Sequence, residues 1–143
     1  MKIVFGKKEE EALYQDALYV RRLVFVEEQH VPVEEEIDHF EDEAIHFVLY
    51  DETKPVGAGR LRLLDEATSK IERICVLHDY RKKGIGRLLM EHIEQVAKQH
   101  GAAKAKLNAQ THAEPFYKKL GYETISDVFL DAGIPHVTMV KIL

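Results

Sequence analysis

The chain has 143 residues, 45% of them hydrophobic and 31% charged, with a formal net charge of -5. That profile fits one folded domain with a single core. No stretch approaches the ~18 consecutive apolar residues of a membrane span, no basic-then-apolar leader is present, and the single cysteine excludes an internal disulfide framework, so a cytoplasmic protein is expected.

In chain order, MKIVFG reads as a short strand. From Glu9 to about Phe25, apolar residues at Leu13, Ala17, Val20, Val24 and Phe25 recur at helical spacing. The next segment, Glu27 to Glu43, holds nine carboxylates and no Lys or Arg. It reads as a short helix or a long loop. Its charge suits either a solvated surface or a border attractive to a cationic ligand. Cations are not gathered into a basic stripe, so a nucleic-acid partner is not expected.

AIHFVLY and VGAGRLRLL, joined by DETKP, predict an antiparallel hairpin with Arg60 and Arg62 on one face and Leu61 and Leu63 on the other. KIERICVL predicts a further strand, in which alternation puts Ile71, Arg73, Cys75 and Leu77 opposite Glu72, Ile74 and Val76. After HDYRKKGIG a long helix runs to His100 with Leu88, Leu89, Ile93 and Val96 along one face, and Gly101 is placed to end it. AKAKLNAQ predicts another strand. THAEPFYKKLGY predicts a short helix, opened either by a capping box from Thr111 to Glu114 or by Pro115 in its first turn. The remainder, Glu123 to Ile142, reads as two strands around a DAGIPH loop. The sum is an α/β domain spanning 1–143, a mixed sheet with helices on both faces and one parallel crossover through the long helix.

The chemistry centres on RKKGIGRLL. Its Gly84 and Gly86 lie between a strand and a helix N-terminus, where unpaired N–H groups and the helix dipole favour an anion. Arg81, Lys82, Lys83 and Arg87 add positive charge. A Walker A loop fails because Arg87-Leu88 follows the second glycine, and a dinucleotide fingerprint fails because Leu89 stands where a third glycine is needed. A tight turn with exposed cations remains the plain alternative.

Arg81-Lys82-Lys83-Gly84-Ile85-Gly86 resembles R/Q-x-x-G-x-G/A, the coenzyme A signature of the GCN5-related N-acetyltransferases. The likeness extends to ERICVL before it, KLNA after the long helix and PFYKKLGY beyond, in order over roughly residues 44 to 125. YVRRLVFVEEQ with VP and EEEID is similar to one bacterial branch of that family. The resemblance implies a mostly antiparallel sheet of about six or seven strands flanked by helices. It further implies that the KIERICVL and AKLNA strands splay to admit coenzyme A. The pantetheine arm would pair with the backbone at Ile74, Cys75 and Val76 as an added strand does. Lys82 to Arg87, with Arg81, Gly84, Ile85 and Gly86, would take the pyrophosphate. Asn108 would meet the arm's amides, unless it only caps the strand end, and Phe116 would line the same site.

The implied reaction is acyl transfer from acetyl-CoA to a primary amine by direct attack. A phenol with a pKa of about 10 is protonated at neutral pH, so Tyr117, at the family's acid position, is expected to protonate the departing thiolate. Its bland alternative is a ring that only packs, the role expected of Tyr122. Glu72 is the base candidate, with charge pairing as its alternative; His39 and His46 are weaker ones. Cys75 invites a covalent reading, but a strand cysteine usually serves as a small buried hydrophobe. The eight histidines form no metal-type spacing. The acceptor is expected to be a small-molecule amine or a protein amino group, the acidic segment favouring a cationic one. A homodimer through VFL and HVTMVKI is conceivable on this reading. A catalytically silent acyl-CoA sensor and a nucleotide-binding domain are the competing functions.

Overall fold

A computed structural model describes residues 1–143. The chain runs β1 (Lys2–Gly6), α1 (Glu11–Arg21), α2 (Val33–Glu36), β2 (Ile45–Asp51), β3 (Lys54–Leu63), β4 (Thr68–Val76), α3 (Ile85–Gln99), β5 (Lys104–Gln110), α4 (Glu114–Lys119), β6 (Glu123–Thr124), β7 (Phe129–Asp131) and β8 (Ile134–Ile142). One sheet holds all eight strands in the order β1-β2-β3-β4-β5-β8, with β6 and β7 both pairing along the far edge of β8. Every pairing is antiparallel except β4 with β5. That exception follows from the crossover through α3, which returns the chain to the same end of the sheet.

Helices cover both faces. On one, α3 buries Ile85, Leu89, Met90, Ile93, Val96 and Ala97 against Phe47, Leu49, Leu61 and Ile71, and Tyr117 and Tyr122 extend the same core. Leu88, assigned to that stripe by spacing, is instead 45% exposed. On the other face α1 packs Leu13, Ala17, Val20 and Val24 on Val48, Ala58 and Cys75. The first helix outlasts its periodic stretch, because Arg22–Glu28 continues it as a π-helical segment.

Three further expectations change. The strict alternation of β4 is broken, because Ala58 pairs with Cys75 and Arg60 with Glu72, leaving Arg73 and Ile74 together opposite Gly59. This is a β-bulge. Arg73 takes a left-handed φ of 58°, so Ile71 and Ile74 share the α3 core while Cys75 joins the α1 core. The capping box does not form: α4 begins with Pro115 in its first turn, and the Glu114 carboxylate accepts the Thr124 hydroxyl instead. Finally, the last segment is three strands, and β8 has neighbours on both edges. HVTMVKI therefore runs inside the sheet, with β6 and β7 along part of its outer edge. No helix is long and apolar enough to cross a membrane.

Candidate active site

The parallel ladder between β4 and β5 is short. It pairs Thr68 with Lys104, Ser69 with Ala105 and Lys70 with Lys106, then stops. Beyond that point the strands diverge, β4 through Val76 and β5 through Gln110. The bulge at Arg73 helps, since bulges bend the strand that carries them. The gap opens into a cavity of about 650 Å³, within the range of small-molecule sites. Its walls are the diverging strands, the π-helical end of α1, α2, α4 and the β7–β8 turn. The edges of Ile74, Cys75 and Val76 that face the gap have no partner strand, as required for an added extended chain.

At the outer end of β4 the chain makes a short turn and enters α3 through Gly84, in the left-handed region with φ of 78°. Glycine occupies that conformation without the clash of a Cβ. Gly86 answers a different need: a Cβ there would meet the Phe116 ring at 3.2 Å. The close approach brings the N-terminus of α3 against α4 at the cavity wall. Ile85 is buried and anchors this first turn. Lys82 and Lys83 are exposed, whereas Arg87 pairs with Glu91 at 2.7 Å along the helix. Arg81 behaves differently from the lysines. Its Nε donates to the Val76 carbonyl at 2.9 Å and its two terminal nitrogens donate to Glu28 at 2.6 and 2.7 Å. It braces the end of α1 against the end of β4.

Tyr117 lines the cavity from α4 and is 9% exposed. Its ring packs edge-on against Phe116 and Tyr122, and its hydroxyl finds no hydrogen-bond partner within the chain, unlike that of Tyr122, which donates to Glu94 at 2.7 Å. Burial, with Cys75 nearby, pushes the Tyr117 phenol above its ordinary value, so it stays protonated. Asn108 lies within β5 and not at its end. Its Oδ1 accepts the Thr138 hydroxyl at 2.9 Å, which leaves its two N–H donors for the cavity. Cys75 is buried, donates weakly to the Ala58 carbonyl at 3.9 Å, and has its thiol pushed up to about 12 by burial. A thiolate nucleophile is not available there.

Glu72 reaches the cavity wall, but as part of a charge network. Its carboxylate accepts from Arg62 Nε at 2.7 Å and Arg60 Nη2 at 2.9 Å, with Lys70 at 3.5 Å. Burial works to raise its pKa, yet the Arg62 hydrogen bond and the surrounding cations outweigh it and hold the group below its usual range. A carboxylate held in this way is a weak proton acceptor. His46 is fully buried and donates Nε2 to the Glu41 carbonyl; it does not line the cavity, and neither does His39.

The acidic segment is only partly a solvated surface. Glu36 and Glu41 are each 3% exposed. Glu36 and Glu41 hold Arg21, at 2.6 and 2.8 Å. Arg60, fully buried, contacts Asp38 at 2.8 Å, Glu41 and Glu72. Arg73 donates to the carbonyls of Glu35 and Glu36 and to Asp38, which ties the bulge to the end of α2. The sequence reading missed this network, although Arg60 and Arg62 on one strand face, facing an uncompensated acidic stretch, were the signal for it.

The family profile described as acetyltransferase (GNAT) domain matches residues 9–143. The chain belongs to the GNAT acetyltransferase family. It is 54% identical over 142 residues to the Bacillus subtilis protein YjcF, described as an uncharacterized N-acetyltransferase, with 99% of each chain covered. It also superposes on Escherichia coli ElaA with a TM-score of 0.87 at 24% identity over 99% of both chains. An aminoglycoside 6'-N-acetyltransferase crystallised with coenzyme A superposes at 0.78 and 20% identity, over 99% of this chain and 97% of that one. At those identities the structures speak for the fold. The protein is thus an acyl-CoA N-acyltransferase that uses acetyl-CoA as co-substrate, and the unpaired β4 edge, the left-handed Gly84 and the Gly86–Phe116 contact suit such a donor.

Proposed function

We propose that this acetyltransferase transfers acetyl directly to a primary amine, with Tyr117 as the general acid. The observation that carries the proposal is a protonated, otherwise unpartnered phenol on the wall of the cavity between β4 and β5. The backbone from Ile74 to Val76 would pair with the extended arm, the donors of Asn108 would meet its amide carbonyls, and Phe116 would pack beside it. The first turn of α3 from Gly84 to Arg87, with Lys82 and Lys83, would take the pyrophosphate. Arg81 contributes through the brace between Val76 and Glu28.

The bond changes balance. The neutral amine forms the C–N bond, the C–S bond breaks, and the Tyr117 proton passes to sulfur. The proton lost by the acylated nitrogen returns to the phenolate. Glu35 and Asp131, the lining carboxylates with no cationic side chain paired to them, support a cationic acceptor, such as a small alkylamine or a lysine-like amino group. The test is Tyr117→Phe, measured as thiol release with a panel of amines. We expect kcat to fall by roughly 10²-fold or more, the usual contribution of a positioned acid, with the KM for acetyl-CoA little changed. An unaltered kcat at several pH values would remove Tyr117 from the mechanism.

A further inference from the structure

A transfer of this kind also needs a group that accepts a proton from the incoming ammonium, and Glu72 is committed to Arg60 and Arg62. A second titratable side chain on the cavity wall is better placed. His136 stands on β8, 8% exposed, and lines the cavity. It lies opposite Gln110 in the β5–β8 ladder and two residues before Thr138, whose hydroxyl binds Asn108. Residues two apart share a strand face. His136 therefore stands on the same side of the sheet as Asn108 and Gln110. Gln110 in turn donates to Gln29 at the end of α1 at 2.8 Å, so this is the wall toward α1 and away from the core around Tyr117.

The imidazole is fixed in one tautomer. Its Nδ1 sits 2.6 Å from the Ile134 carbonyl. A carbonyl only accepts, so Nδ1 carries the proton. In the neutral ring Nε2 then bears the lone pair. That atom has no partner in the chain, yet it is not sealed from solvent, since the one sealed and unpartnered side-chain polar atom is His46 Nδ1. The ring plane is held by stacking on Phe129, with centroids 6.1 Å apart. The other imidazole lining the cavity, His112 in the turn after β5, is exposed, with its Nε2 donating to Gln110 Oε1. Of the charged groups lining the cavity, Glu28, Glu36 and Glu72 are paired with Arg81, Arg21 and Arg62, and Lys70 and Arg73 are themselves paired with Glu72 and Asp38. Glu35 and Asp131 are the carboxylates left to draw an ammonium toward His136.

We infer that His136 is the general base, with Nε2 accepting the first proton of the acceptor's ammonium before the amine attacks. This rests on the amine-transfer reading above. The amine loses one proton to Nε2, which later releases it to water. The second leaves after C–N bond formation and restores Tyr117. The two residues thus act from opposite sides of one cavity, one giving a proton to sulfur and one taking a proton from nitrogen.

The test uses two amines of similar size at pH 7: ethylamine, which is protonated, and trifluoroethylamine, whose fluorines keep it neutral. A neutral amine has no first proton to lose. His136→Gln, which can keep the bond to Ile134, should lower kcat with ethylamine by about 10²-fold while leaving trifluoroethylamine within about threefold. His136→Phe, which keeps a ring against Phe129, should give the same split. The trifluoroethylamine rate also reports that each variant is folded. Equal losses on both amines, or no loss on either, overturn the base role. Wild-type transfer to trifluoroethylamine but not to ethylamine would also overturn it, while leaving the amine-transfer reading intact. Wild-type protein that binds acetyl-CoA and acetylates neither amine overturns both.

Discussion

Replacing Arg60 by methionine removes a fully buried guanidinium and keeps most of its aliphatic length. Three carboxylates lose a partner: Asp38 at 2.8 Å, Glu72 at 2.9 Å and Glu41. Removing one member of a buried ion pair typically costs about 3–5 kcal/mol, because a desolvated charge is left behind. Here the loss is cushioned. Glu41 keeps two bonds from Arg21, at 2.8 and 3.0 Å, and Glu72 keeps Arg62 at 2.7 Å. The lower end of that range, about 3 kcal/mol, is therefore expected. For a chain of this size that corresponds to a fall in melting temperature of roughly 6–12 °C. The assay is thermal unfolding at pH 7 in low and high salt. The drop should persist in high salt, because pairs this buried are poorly screened. Asp38 and Glu72 also flank the bulge, so the KM for acetyl-CoA should rise with the instability. A melting temperature within about 2 °C of wild type would mean that the network only breaks even, and that packing alone holds α2 to the sheet.

Acid should act on the same network. Burial would raise the pKa of Asp38, but hydrogen bonds and charge from Arg60 outweigh it and bring the carboxyl down to about 2. A folded-state pKa below the unfolded one stabilises above the unfolded value of about 4 and is lost as pH falls through the folded value. Asp38 alone accounts for about 2 kcal/mol at 1.36 kcal/mol per unit. Melting temperature should decline between about pH 4 and pH 2, and more shallowly in Arg60→Met; parallel profiles would refute the linkage. Gly86→Ala places a Cβ at 3.2 Å from Phe116, so the ring must shift. We expect several-fold weaker acetyl-CoA binding by calorimetry with a melting temperature near wild type, and unchanged binding would show that Phe116 yields freely.

Much of the candidate site was readable before any tertiary contact was known, because the candidates were chosen on order and local chemistry. Glycines after a strand and before a helix mark an anion-facing N-terminus wherever they fold. PFYKKLGY carries Tyr117 into place through a short helix whose spacing is local. The face assignments in β4 failed because a bulge is set by both strands at once: Arg73 and Ile74 share one opposite residue, Gly59, and no single-strand alternation encodes that. The Glu27–Glu43 segment offered only a solvated or an acceptor-facing reading because its partners, Arg21, Arg60 and Arg73, are scattered along the chain.

The amino-acid sequence by itself therefore determined the family and the architecture, and it singled out the RKKGIG loop and Tyr117 as candidates. Each rests on a short run whose neighbours in sequence are also its neighbours in space. Tertiary structure alone decided which charges are buried, that Glu72 is spoken for and that His136 opens on the cavity. Those properties depend on desolvation and on pairing between residues such as Asn108 and Thr138, 30 positions apart. Burial changes what a side chain can do far more than its identity reveals, and burial is conferred only when the sheet closes and its helices pack.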